Sequence, residues 1–196
     1  VSKDEDGVRQ YLGGHLDTLR DCIETGFYRY YNLPGDVLND MIPRARAMII
    51  HTFIIREAER KFDGIPGVHV LNWKGLFLIN FEKVQVRFKK LNRRLQSNNI
   101  LTSQTVAYAC QETLPGIPPA INLVAGYQPD KFHTDIEAIA IVCPNGTKYH
   151  WFIPLDSTLK SAVPLRTENE DGGAERKKLP SVKEGIINEK GGRKDI

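Results

Sequence analysis

Six basic side chains, Lys83, Arg87, Lys89, Lys90, Arg93 and Arg94, fall within residues 83–94, a stretch that holds no acid and has Phe88 among them. Cations at that density suit phosphate, because each contact releases counterions, and an aromatic ring beside them offers a surface for stacking. Asn92, Gln96, Ser97, Asn98 and Asn99 follow directly and can hydrogen-bond bases or backbone. The expected partner is therefore nucleic acid or, on the same charge argument, an acidic protein. The net charge of +3 conceals this local excess, since residues 1–27 carry six acids against three bases.

Other chemistries find less support. The chain has neither G-x-x-x-x-G-K-[ST] nor G-x-G-x-x-G, so the backbone amides that cradle a nucleotide phosphate have no candidate loop, and no cofactor is expected. His15, His51, His69, His133 and His150 are scattered, with no H-E-x-x-H, and predict no metal site. Cys22, Cys110 and Cys143 are odd in number and never spaced C-x-x-C, which argues against a disulfide framework and a structural zinc. No G-x-S-x-G elbow is present. No apolar run approaches the roughly 20 residues of a membrane helix, and the start, Val1 to Arg9, is polar and acidic. A protein of the cytosol, without membrane association, is the expectation.

Two enzymatic alternatives rest on particular residues. Arg46-Ala47-Met48-Ile49-Ile50-His51 sets an arginine and a histidine with four residues between them on a strongly helical segment. That spacing resembles the R-x4-6-H signature of HEPN ribonucleases, and the resemblance implies charge stabilisation and proton transfer at a phosphodiester, with Glu57 nearby as a further acid. HEPN folds are all-helical, whereas the chain from Val68 to Ile153 reads as sheet. Metal-dependent nucleases of the restriction type instead combine a helix Glu, a strand Asp and D/E-x-K on the next strand. Glu57 or Glu59 is available for the first role, but Asn80 stands at the Asp position and Gln85-Val86-Arg87 at D/E-x-K. Two of the three ligand types are missing. The chain therefore reads as a binder before an enzyme, with a small toxin-like nuclease using Arg46 and His51 as the alternative.

The elements that must position these residues follow from hydrophobic period. Val8, Leu12, Leu16, Leu19, Ile23 and Phe27 recur every three or four residues and predict a helix to Tyr31, weakened by Gly13, Gly14 and Gly26. Asp36 is a candidate N-cap, and Pro43 suits the first turn of a helix running to Phe62, with Met48, Ile49, Phe53 and Ile54 inward and Arg56, Glu57, Glu59, Arg60 and Lys61 mostly toward water. After Asp63-Gly64-Ile65-Pro66-Gly67 the period changes to two. Strands are expected at Val68–Leu71, Leu76–Phe81 and Val84–Phe88, then a helix from Gln104 to Glu112 behind the cap residues Thr102 to Thr105, then a strand at Ile121–Tyr127. Asn145-Gly146 predicts a tight hairpin between Ile136–Val142 and Lys148–Ile153, with Tyr149, Trp151 and Ile153 on one face and Lys148, His150 and Phe152 on the other. Leu114 to Pro119 and Tyr127 to His133 are the loops most suited to an interface. The fold class is α+β: N-terminal helices (8–62) packed on a mainly antiparallel sheet (68–155) with one helix near 103–112.

No Phe, Tyr or Trp follows Phe152, and from Asp156 the chain alternates Ser, Pro, Gly and charge, as in Glu168-Asn169-Glu170-Asp171 and Arg176-Lys177-Lys178. A segment without aromatics buries too little surface to offset its ordering entropy, so one domain over 1–155 and a flexible charged tail over 156–196 are expected. Taken together, Val86-Arg87-Phe88-Lys89-Lys90-Leu91, Thr102-Ser103-Gln104, Leu114-Pro115-Gly116-Ile117-Pro118, Ala125-Gly126-Tyr127 and Trp151-Phe152-Ile153-Pro154-Leu155 resemble small bacterial proteins of prophage, phage-defence and toxin-antitoxin neighbourhoods. The resemblance implies a setting, a bacterial cytosol and mobile-element biology, and attaches no catalytic residues.

Overall fold

The computed structural model describes residues 4–73, 75–97 and 102–156. The expected tail lies outside the described residues, apart from Asp156. Helices come first: α1 (Glu5–Leu12), a single 3-10 turn at Gly13–His15, α2 (Leu16–Tyr31), α3 (Gly35–Asp40) and α4 (Pro43–Phe62). The glycine pair Gly13-Gly14 divides the expected first helix, because residues without a side chain lose most entropy on becoming helical. Asp4 caps α1 by accepting from the Gly7 amide, whereas α3 starts at Gly35 behind Pro34, so Asp36 sits inside its first turn rather than at the cap. Pro43 opens α4 as expected, its missing N–H being one of the groups a helix start leaves unpaired.

α2 and α4 pack closely, and a glycine permits it. A Cβ on Gly26 would stand 2.6 Å from the backbone nitrogen of Ile54, closer than any real side chain approaches. The buried stripe of α4 is accordingly Ile50, Ile54, Glu57, Ala58 and Phe62. It is rotated from the expected one. Met48 is 62% exposed, and Glu57 is buried where it was expected to face water. Glu57 enters the interior because arginines neutralise it: Arg60 lies 2.8 Å away and Arg29 3.9 Å.

Six strands follow: β1 (Val68–Trp73), β2 (Leu76–Phe81), β3 (Val84–Lys90), then α5 (Ser103–Ala109), β4 (Ile121–Pro129), β5 (Ile136–Asn145) and β6 (Lys148–Pro154). They form one sheet in chain order, β1-β2-β3-β4-β5-β6. Every pairing is antiparallel except β3 with β4, which run parallel from Val84↔Ile121 to Lys90↔Tyr127. A parallel pair needs a long crossover, and the connection through α5 supplies it. The sheet is thus two antiparallel meanders joined at one parallel seam, in an α+β fold.

The faces differ in what covers them. Phe77, Ile79 and Phe81 of β2, Val84, Val86 and Phe88 of β3, Leu123 and Tyr127 of β4, and Ile139 and Ile141 of β5 meet Leu12, Leu19, Ile23, Phe27, Ile54 and Phe62 from the helices. Leu76 and Leu78, Val124, and Ala140 and Val142 point to the other side, where Tyr108 of α5 and the loop residues Leu91, Leu95, Leu114 and Ile117 cover them. Gly126 lies on this second face, and a Cβ there would collide with the Leu91 side chain. β6 departs from strict alternation. Cys143 pairs with Trp151 but Pro144 with Tyr149, so His150 is an extra residue and the strand bulges. Tyr149 therefore joins Phe152 on the α5 side, their rings 5.8 Å apart, while Trp151 and Ile153 stay with the helices.

Candidate functional site

Alternation along β3 decides which of its cations act together. Val84, Val86 and Phe88 face the helices, so Gln85, Arg87 and Lys89 project toward α5. There Arg87 and Lys89 border a cavity of about 380 Å³ between β3, β4, β5 and α5. Tyr108, Cys110, Val106, Val124 and Val142 form much of its wall, Leu95, Gln96 and Ser97 its rim on one side, and Lys148 the other. Among the described residues the lining includes no Asp or Glu.

Arg87 is 9% exposed, and its guanidinium carbon lies 4.9 Å from the centre of the Tyr108 ring. A ring face attracts a cation but carries no net charge to neutralise it. Burial lowers the Arg87 pKa without threatening its protonation, given how far a guanidinium starts above neutral pH. Lys89 is half-buried, and burial followed by the charge of Arg87 brings its ammonium down to about 8. It is still mainly protonated at pH 7.

Buried polar groups hold the Tyr108 ring in place. The phenol donates to the Leu123 carbonyl at 2.7 Å and to the Gln85 carbonyl at 3.1 Å, bridging the two strands of the parallel seam, and burial pushes its pKa upward. Beneath it Gln85 donates to the Asn122 side chain, whose own amide donates to the Tyr108 carbonyl at 3.1 Å. Gln111, in the left-handed region at φ 62, closes the end of α5. Its side chain accepts from the Asn122 amide at 2.9 Å and donates to the Asn122 carbonyl at 2.7 Å and the Pro144 carbonyl at 3.0 Å. One end of α5 is thereby tied to β4 and β5. At the other end Thr102 and Thr105 form a reciprocal capping box.

The remaining cations of the sequence cluster are dispersed. Arg93 and Arg94 are exposed at the tip of a turn closed by the Asn92 side chain, which accepts from the Arg94 and Gln96 amides, and this turn leads directly into the cavity rim. Lys90 points to the helix side, 3.3 Å from His133 Nδ1, in a small cleft of about 90 Å³ shared with Arg46. Lys83 lies at the far end of β3, its ammonium 5.6 Å from the Tyr11 ring. Among the six, therefore, Arg87 and Lys89 line one cavity, Arg93 and Arg94 flank it, and Lys83 and Lys90 stand apart. Lys148 and Tyr108 were not anticipated; no local motif marks either, and the fold brings both to β3 from beyond the seam.

Arg46 and His51 do not share a cleft. Five residues along an α-helix turn about 140° past a full revolution. Arg46 donates to the Met41 and Leu38 carbonyls at 3.0 and 3.2 Å, holding the end of α3. His51 is half-buried, and burial lowers its pKa to about 4, the charges of Lys89 and Arg87 acting in the same direction. Glu57 and Glu59 are engaged by Arg60 and Arg56, at 2.8 and 2.7 Å. Asn80 and Gln85 are directly opposed across β2 and β3, on the α5 face and so across the sheet from those acids. Among the described residues no group of three or more His, Cys, Asp or Glu side chains is placed to hold a metal ion. No described helix is long and apolar enough to cross a membrane.

Compared with models of protein families, with curated proteins and with solved structures, the chain matches none of them.

Proposed function

We propose that the protein binds nucleic acid through the α5 face of its sheet, with Arg87 and Lys89 in the cavity and Arg93, Arg94 and Lys148 around its mouth. The observation that supports this reading is Arg87 against the Tyr108 ring, with Lys89 in the same cavity, whose lining has no acid among the described residues. Phosphates repeat along a strand, so an inner and an outer set of cations can be engaged by one ligand, and an apolar wall suits the base between them. The resemblance drawn from the sequence suggests a bacterial defence or toxin-antitoxin module as the setting.

The test is fluorescence anisotropy with labelled single-stranded RNA and DNA at salt concentrations from 50 to 200 mM. Replacing Lys89, Arg93 and Arg94 together by Glu is expected to weaken binding by about tenfold or more at the lowest salt and to flatten the slope of log K against log salt. Binding and slope identical to those of the unaltered protein reject the reading.

A further inference from the structure

We propose that the cavity between β3 and α5 receives a terminal phosphomonoester attached to a nucleoside, either the phosphorylated end of a strand or a free nucleoside monophosphate. This rests on the nucleic-acid reading above and narrows it.

Arg87 carries the argument. The residue is about nine-tenths buried and forms no ion pair among the described residues; what its guanidinium faces is the Tyr108 ring. A charge taken out of water without an opposite charge is unfavourable, and a ring face offsets part of that loss only. An anion entering the cavity completes the site. Lys89, two residues along the same strand, projects in the same direction about 7 Å away, as two strand rises require, so a group set between them meets both. A phosphodiester brings a single negative charge, whereas a phosphomonoester brings between about 1.5 and 2 at neutral pH and matches the pair.

The lining agrees with a nucleoside beside the phosphate. Tyr108, which lines the cavity, is almost fully buried, and it is held by the Gln85 carbonyl, to which its hydroxyl donates, and by the Asn122 side chain, which donates to its carbonyl. Val106, Val124 and Val142 leave an apolar wall for one base, and a volume of about 380 Å³ falls in the range of pockets that hold a ligand of that size. Lys89, tuned by burial to about 8, gains its proton more firmly once an anion is present, so binding is expected to weaken as the pH rises above 8.

The experiment compares one labelled single strand carrying a 5′-phosphate, a 3′-phosphate or hydroxyls at both ends, with adenosine monophosphate and adenosine as competitors and by calorimetry. The expected result is that one phosphorylated end binds about tenfold more tightly than the hydroxyl-ended strand, that the monophosphate and not the nucleoside competes, and that Lys89→Gln removes the preference. Arg87→Gln is expected to act likewise, and Lys89→Gln carries the test if the loss of Arg87 impairs folding, as circular dichroism would reveal. Strands that bind equally whatever their ends overturn this proposal and leave the nucleic-acid reading standing. A monophosphate that binds in a Lys89-dependent manner, with no strand binding at all, supports the pocket and overturns the nucleic-acid reading. Absence of binding by both overturns both.

Discussion

On one side of β3, Val84, Val86 and Phe88 vanish beneath four helices; on the other, one residue out of step, Gln85, Arg87 and Lys89 meet a single short helix, two loops and a cavity. The same backbone thus supports a dry face and a polar one. On the helix side burial is achieved by shape, as the ring of Phe62 edge-on to Phe81 at 5.5 Å and the bare Cα of Gly26 against Ile54 illustrate. On the α5 side it is achieved by hydrogen bonds, through Tyr108, Gln111 and Asn122, and it stops short of filling the space. A well-filled face stabilises a fold. A face with hydrogen-bonded polar groups and an unfilled centre is where a ligand can be accommodated without disturbing that stability.

The contrast is broken most directly by truncation. Phe62→Ala is expected to cost about 3–5 kcal/mol in urea melts, because the rigid layer of helices cannot close the void, whereas Val142→Ala at the cavity wall should cost about 1 kcal/mol, its methyls already bordering open space. Equal losses would mean that both faces are packed alike. The next effect in size comes from His51, which underlies the helix face. The unfolded chain takes up this proton near pH 6.5 and the folded chain only near 4, so the unfolded state binds more protons throughout that window. Stability attributable to His51 is therefore complete above pH 6.5 and declines as the pH falls to 4, by about 2–3 kcal/mol. In His51→Gln the pH slope of the melting free energy over that window should shrink by this amount. The smallest effect belongs to the polar face. The side-chain nitrogen of Asn80 is buried with no hydrogen-bond acceptor among the described residues. Asn80→Leu should leave the urea midpoint unchanged or raise stability by up to about 1 kcal/mol, since it removes a desolvated donor. A loss above about 2 kcal/mol would show that this amide is satisfied in solution and that the polar face is built more tightly than its hydrogen bonds indicate.

Local features of the chain were readable before the fold was known, and features depending on distant residues were not. The change of period at Asp63 to Gly67, Pro43 at the head of α4 and the Asn145-Gly146 turn each act within a few residues, so the α+β class and most element positions follow from them. Hydrophobicity alone does not say which way a helix is rotated. Met48 looked inward by composition, but the approach of α2 at Gly26 selects Ile50 and Ile54 instead. Alternation likewise could not foresee the bulge at His150 that turns Tyr149 over, nor the parallel pairing of β3 with β4. For the site, the charge run from Lys83 to Arg94 was visible as a run, but its division among a cavity, a turn, a cleft and a far strand end follows from side-chain alternation and from where β3 stops. Tyr108 and Lys148 complete the cavity from elements whose position relative to β3 is settled only by the crossover.

The parallel seam has a consequence for the order in which the chain assembles. Each meander closes through short turns, while seven residue pairs, Val84↔Ile121 to Lys90↔Tyr127, join β3 to β4 across the whole connection from Leu91 to Ala120. Loop-closure entropy delays such non-local pairings relative to hairpins. Arg87 and Lys89 belong to the first meander, and Val124, Val142 and Lys148 to the second, so the cavity comes into being only when the halves dock. A ligand held there recognises the finished chain and no earlier intermediate, and by mass action it acts as a clasp on the last step of folding.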